Sequence, residues 1–521
     1  MNNRVKRALI WAIALTALLF FFASLLYRPI VCNDAVNGMV SLHNYINNGG
    51  WNQVLSFSAD GSVSANQLTW WSPGQYHLPF VLSKILFINV GSAISLMLLA
   101  ATAFGCVFYY RLFKLSGISE NVILAALLIL LCQRFFNIFF IQYSSPDLLL
   151  FWYVPFYLWA YFKVFGALQR KLPAKLVMLF VLNLFGLYIK NSCMLFQLAF
   201  HIFLAIEYFY STSYKSQTFA QYGRLQLLKR VVIVIPFVTA ALINYWFFLR
   251  SGSNPAAGAR WLFNADTIIT GVFLPVVEGL FGSLSLSGIY GNIYNKITIG
   301  ACTANLLMLA VLITLVSLIF FRRRSILQIL KTDIIFRVAL TSFGVYIFFW
   351  LAFSVKQSAV SGEDRLFLPV SILMFPYLLR WGIKGVDKIR YIYLGLVFVS
   401  VVYGLGTFYY RINLYAIKGA VLSQNKDLNG FKIYSSNQTD ESSLGQISAF
   451  IRQRYSHHFV VIPTADRAFQ LEIKNRLIVG QAPGNAGFKP VNYVVLVEEG
   501  RDLPPKGTLK RFASGRFSLY N

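Results

Sequence analysis

Asp34, in CysAsnAspAlaValAsnGly, stands just past the first long apolar run of the chain. A carboxylate held at a membrane surface, between water and hydrocarbon, can take a proton from a hydroxyl group. An ordinary solvated loop aspartate is the plain alternative. Asp147, in SerSerProAspLeuLeuLeu, opens another apolar run, where an unpaired charge beside hydrocarbon is costly and calls for a partner. Lys190, in LeuTyrIleLysAsnSerCys, lies between two apolar runs and poses the same question with the opposite sign. A lipid phosphate answers it, and so does Asp147.

Later in the chain, Glu363, Asp364 and Arg365 open a further apolar run in SerGlyGluAspArgLeuPheLeuPro. The guanidinium of Arg365 is a planar fork that matches phosphate oxygens, against the plainer reading of a surface ion pair. His77 can donate a hydrogen bond to a phosphate. Trp70 and Trp71, in the proline-punctuated stretch LeuThrTrpTrpSerProGlyGlnTyrHis, suit an aromatic belt at a membrane surface. The whole stretch from 68 to 85 reads as a surface-lying, re-entrant segment.

The elements that must hold these residues are transmembrane helices. The 521-residue chain is 57% hydrophobic and only 12% charged, with a mean hydropathy of +0.60; those values exclude a water-soluble fold. Runs of about 18 uncharged residues are long enough to span hydrocarbon as helix, and helices rather than a barrel are implied. Spans are expected near residues 8–27, 92–111, 119–137, 146–166, 174–190, 192–210, 231–249, 298–320, 334–354, 366–381 and 391–410, about eleven in all. Threading them from a cytoplasmic N-terminus puts most Lys and Arg on inner loops, including Arg322, Arg323 and Arg324, and leaves every candidate residue above on the outer side.

The net charge of +27 is spread over many short loops rather than gathered on one soluble domain, which argues for membrane topology and against nucleic acid. Cysteines are few and mostly inside expected spans, so no disulfide framework or metal-thiolate spacing is visible. Residues 1–410 therefore form a membrane domain with outer loops. From about residue 425, PheLysIleTyrSer, HisPheValValIlePro and TyrValValLeuValGlu read as strands and residues 442–454 as a helix. A small extracytoplasmic α/β domain over 425–521 follows.

Taken in order, these parts resemble the GT-C superfamily of membrane glycosyltransferases, including the protein mannosyltransferase and lipid A aminoarabinose transferase branches. The residues that carry the resemblance are Asp34 early in the first outer loop, TrpTrpSerProGlyGlnTyrHis, Asp147, Lys190 and ArgLeuPheLeuPro. The chain differs in having one carboxylate in AsnAsp, Trp71-Ser72 where a basic residue often precedes the prolines, and Leu366 after the late arginine. The resemblance implies an all-α, polytopic GT-C-like fold that moves a sugar from a polyprenyl-phosphate carrier to a glycan, lipid or protein acceptor at the extracytoplasmic face. In that scheme Asp34 is the base, and Arg365, Lys190 and His77 bind the donor phosphate. Asp147 holds a divalent cation or orients Lys190, and Trp70, Trp71, Glu363 and Asp364 border the substrate groove. A bacterial inner membrane suits the charge pattern. A transporter or lipid flippase, an O-antigen polymerase or ligase, and a noncatalytic lipid-binding member remain the rival readings; the first lacks the repeated halves usual in transporters.

Overall fold

In hydrocarbon every backbone N–H and C=O must be paired within its own segment, which makes helices of the apolar runs. A computed structural model of the chain describes residues 3–32, 34–58, 62–68, 72–167, 172–212, 234–249, 282–286, 323–355, 367–384, 387–417, 420–434, 441–480, 492–499 and 509–520, with a few isolated positions between them. The described part is mostly helical, with a sheet region toward the C-terminus.

Among the described residues, four helices are long and apolar enough to cross a membrane. They are α1 (Asn3–Tyr27), α4 (Val90–Leu115), α11 (Ile334–Val355) and α13 (Asp387–Arg411). A fifth span results if α5 (Glu120–Cys132) and the stretch from α6 (Arg134–Asn137) to Phe140 are taken together across their 64° bend. That bend has a local cause: Gln133 is extended at the break, and Asn137 Nδ2 donates to the freed Cys132 carbonyl and to Gly404 O of α13, both at 3.1 Å. Further apolar helices are α7 (Asp147–Ala167), α8 (Leu172–Ile189), α9 (Cys193–Thr212), α12 (Leu368–Ile383) and the segment Val234–Phe247. The short amphipathic α10 (Arg323–Thr332) precedes α11. Most of the stretch expected to span near 298–320 lies outside the described residues.

Polar contacts at the helix ends fix the alternation. At one end Glu120, on α5, takes Lys6 of α1 at 2.5 Å and Lys114 of α4 at 3.1 Å. At the other, Arg28 just after α1 donates to Ser92 Oγ at the start of α4, at 3.1 Å. So α1 and α5 run in the same direction, in direct contact, and α4 runs antiparallel to both.

Beyond the Arg28 end the chain builds two sheets. The first has the order β4 (Gln142–Tyr143), β1 (Ile30–Val31), β6 (Lys432–Tyr434), β5 (Ala420–Leu422), with β1 parallel to both neighbours. The second runs β10 (Lys510–Ser514), β11 (Phe517–Tyr520), β9 (Tyr493–Glu498), β7 (Phe459–Ile462), β8 (Leu477–Val479), β2 (Gln53–Phe57), β3 (Val63–Gln67). Strands β6, β7 and β9 and helix α14 (Glu441–Arg454) lie where their residues predict strands and a helix. The polar segment after the first span does not predict strands, yet it supplies the β2–β3 hairpin. That hairpin joins the C-terminal strands through Leu55 opposite Ile478. Between the two sheets lies α2 (Asp34–Ile46), and α3 (Gly74–Leu86) leads into α4.

Candidate functional site

The chain turns sharply between α8 and α9, where Lys190 N donates to Gly186 O at 2.9 Å and Cys193 N to Lys190 O at 3.0 Å. This turn projects the Lys190 side chain, mostly buried, onto Asp147 at the first turn of α7. Asp147 is fully buried and forms an ion pair with Lys190 Nζ through Oδ1, while Ser145 Oγ donates to Oδ2. A carboxylate at a helix N-terminus also gains from the helix dipole. Two residues that the sequence brings forward separately, each as a charge needing an opposite, are therefore each other's partner. A lysine at ion-pair distance competes directly with a divalent cation for the carboxylate. Among the described residues no three His, Cys, Asp or Glu side chains converge as metal ligands.

The start of α3 packs directly on this pair's supports. A Cβ added to Gly74 would lie 2.6 Å from the Tyr188 carbonyl oxygen, so only glycine allows that approach. Next to it, Gln75 Nε2 donates to Ser144 O at 3.0 Å and Gln75 O accepts from the Tyr143 hydroxyl. Ser72 Oγ and Gln75 Oε1 are buried without a hydrogen-bond partner among the described residues. Unsatisfied buried polar atoms are uncommon and mark places where a ligand or water completes the bonding. The rest of α3 carries an exposed apolar face: Val81, Ile85 and Leu86 are exposed, and Phe87, in a left-handed cap, is 95% exposed.

His77 turns to different neighbours. Trp51 Nε1 donates to His77 Nδ1 at 3.3 Å, and the rings of Trp51, Tyr45 and Tyr76 surround the imidazole. Accepting at Nδ1 makes Nε2 the N–H nitrogen of the neutral ring. Burial pushes its pKa down to about 4, so His77 offers a neutral donor rather than a cation. Tyr76 meanwhile lies across Gly38 of α2 and donates to Asn52 Oδ1.

Helix α2 begins at Asp34, whose side chain lies outside the described residues. Its far end is tied to the C-terminal strands. His43 bonds Asn475 O through Nε2 and accepts from Asn425 Nδ2 at Nδ1, both at 2.9 Å. Trp70, Trp71, Glu363, Asp364 and Arg365 also lie outside the described residues. Sequence reading passes over Ser145, Gln75, His43 and Arg411, the last of which donates to Gln142 on β4. Ser145 was within reach, because a hydroxyl two residues before a buried aspartate can bond it. The contacts of His43 and Arg411 cross most of the chain and leave no local signal. Cys32, a buried thiol, takes a hydrogen bond from Gln142 Nε2 at 3.0 Å.

Asp147, Lys190, the head of α3 and the Asp34 end of α2 thus gather at one end of the helical bundle, under the two sheets. No protein-family model matches the chain, and no curated protein matches it either.

Proposed function

We propose that the protein is a membrane glycosyltransferase of the GT-C type, which moves a sugar from a polyprenyl-phosphate carrier to an acceptor hydroxyl at the extracytoplasmic face. The observation that carries this reading is the buried Asp147–Lys190 pair, joined by Ser145 and backed by Gly74 and Gln75. A cation fixed at the end of a helical bundle, beside an interfacial helix, suits a substrate whose tail lies in lipid and whose anionic head lies at the surface. In this reading about eleven spans place the N-terminus in the cytoplasm and the sheets outside, in a bacterial inner membrane.

The chemistry is a single displacement. The acceptor hydroxyl gives its proton to the Asp34 carboxylate as its oxygen attacks the anomeric carbon. The bond from that carbon to the phosphate oxygen breaks on the opposite face, its electrons go to the phosphate, and the configuration inverts. Lys190 and Arg365 stabilise the charge gathering on the departing polyprenyl phosphate. Asp147 and Ser145 hold Lys190 in place, and His77 adds a neutral N–H. Trp70, Trp71, Glu363 and Asp364 line the approach.

The test is sugar transfer by the purified full-length protein in liposomes, with several polyprenyl-phosphate sugars and cell-envelope extract as acceptor. Wild type should yield radiolabelled product, and Asp34→Asn should reduce it at least about 100-fold while leaving donor binding intact. Turnover that Asp34→Asn does not change removes the base, and no transfer with any donor removes the reading.

A further inference from the structure

The C-terminal module holds a cavity that the transfer chemistry does not use. It lies between the loop after β5 and the first turns of α14, has a volume of about 340 Å³, and is lined by Gln424, Ser442, Gly445, Ser448, Gln470 and Glu472 with two aliphatic side chains. That is within the ~300–1,000 Å³ of small-molecule sites, at the small end.

Gln470 is the organising residue. It is only 4% exposed, and its Oε1 accepts from Arg467 Nη1 at 2.8 Å. Arg467 is itself held by Glu498, Nη2 to Oε2 at 2.5 Å, in a pair buried behind the cavity wall. Because a guanidinium only donates, it fixes the amide oxygen toward itself and turns Nε2 the other way. That nitrogen donates to no partner among the described residues, so a nine-tenths buried side chain presents an unused N–H2 to the cavity.

Glu472 settles the sign of the ligand. Its oxygens take Lys426 at 3.2 Å and Arg452 at 2.8 Å, and those bonds hold its pKa below the ordinary value. An ionised carboxylate in the wall disfavours an anion, while its two cations remove the need for a bound cation. Ser448 Oγ is taken up by Leu444 O and Glu472 N, which leaves a site with an amide donor, an amide and a carboxylate as acceptors, and the Ser442 hydroxyl, suited to a neutral ligand that both gives and takes hydrogen bonds at several points.

We propose that this cavity binds one or two rings of a neutral saccharide, as the recognition site for a glycan acceptor. Its role as the acceptor site rests on the glycosyltransferase reading; saccharide binding itself does not.

The test uses full-length protein in detergent, without donor, and saturation-transfer NMR with maltotriose, mannotriose and chitotriose, with inorganic phosphate as the anionic control. Two variants separate the site from the fold. A Cβ on Gly445 meets only open space, so Gly445→Phe fills the cavity without touching the core, and Gln470→Leu removes the amide. At least one trisaccharide should give saturable binding, weakened ten-fold or more in both variants at an unchanged melting temperature of Gly445→Phe. No saccharide binding to wild type, binding unaffected by Gly445→Phe, or stronger binding of phosphate overturns the proposal. If binding persists while transfer from every donor fails, the saccharide site stands and the transferase reading falls.

Discussion

Asn44 and Leu477, 433 residues apart, exchange two hydrogen bonds: Asn44 Nδ2 donates to Leu477 O at 2.9 Å, and Leu477 N donates to Asn44 Oδ1 at 2.7 Å. A side-chain amide thereby takes the place of a neighbouring strand on β8. With His43 bonded to Asn425 and Asn475, it fastens the helix that starts at Asp34 to the C-terminal strands.

Replacing Asn44 by alanine strands a buried N–H and a buried C=O of Leu477. At roughly 1–3 kcal/mol for each unsatisfied group, the C-terminal module should loosen while the helical bundle persists. Limited proteolysis should then cut residues 441–480 at least ten-fold faster than in wild type. Equal cleavage rates would show that α2 does not hold the module.

The Asp147–Lys190 pair should respond asymmetrically. Asp147→Asn leaves a mostly buried ammonium without its carboxylate, a loss of about 3–5 kcal/mol. Asp147→Leu combined with Lys190→Met removes both charges and should recover most of that stability in a detergent melt, yet remain inactive in sugar transfer. Activity in the double variant would make the pair purely structural.

Gly74→Ala should separate α3 from the α8–α9 turn, since the new methyl would meet the Tyr188 carbonyl rather than a movable side chain. We expect a loss of about 1–3 kcal/mol and at least ten-fold lower transfer. Gly344→Ala, where a Cβ meets open space, is the control and should change neither.

His77 and His43 are both buried with pKa values below that of free imidazole, chiefly through desolvation. The unfolded chain then binds more protons than the folded one as pH falls, so stability is full above about pH 6.5 and declines below it. For His77 the decline runs down to about pH 4 and amounts to about 3 kcal/mol. Melting temperature against pH should show this slope, and His77→Gln should flatten it. A wild-type melting curve that does not move between pH 7 and pH 4 would sink the assignment.

The helices were legible because hydrocarbon demands a long apolar run, and such runs stand out in the sequence. Glu120–Cys132 and its bent continuation are harder to read, since the break rests on Asn137 reaching the Cys132 and Gly404 carbonyls. At the site, Asp147 and Lys190 were visible as charges in apolar surroundings. Their pairing comes from the turn at Lys190, which brings together two charges 43 residues apart and leaves no local pattern. The β2–β3 hairpin was not legible: Gln53–Phe57 and Val63–Gln67 are short and partly polar, and their sheet neighbour is Ile478. Such distant pairing has no local periodicity.

The shared sheet also sets a timetable. Leu55 leaves the ribosome roughly 420 residues before Ile478, its partner, and at about 5–20 residues per second that is a wait of some 20 to 85 seconds. Until then the β2–β3 edge is unpaired on one side and α2 has nothing to seize, so the segment that starts at Asp34 matures last although it is made among the first. An incomplete chain therefore carries an unfinished Asp34 end, which couples its maturation to full synthesis and leaves β2 as an unpaired strand edge in the meantime.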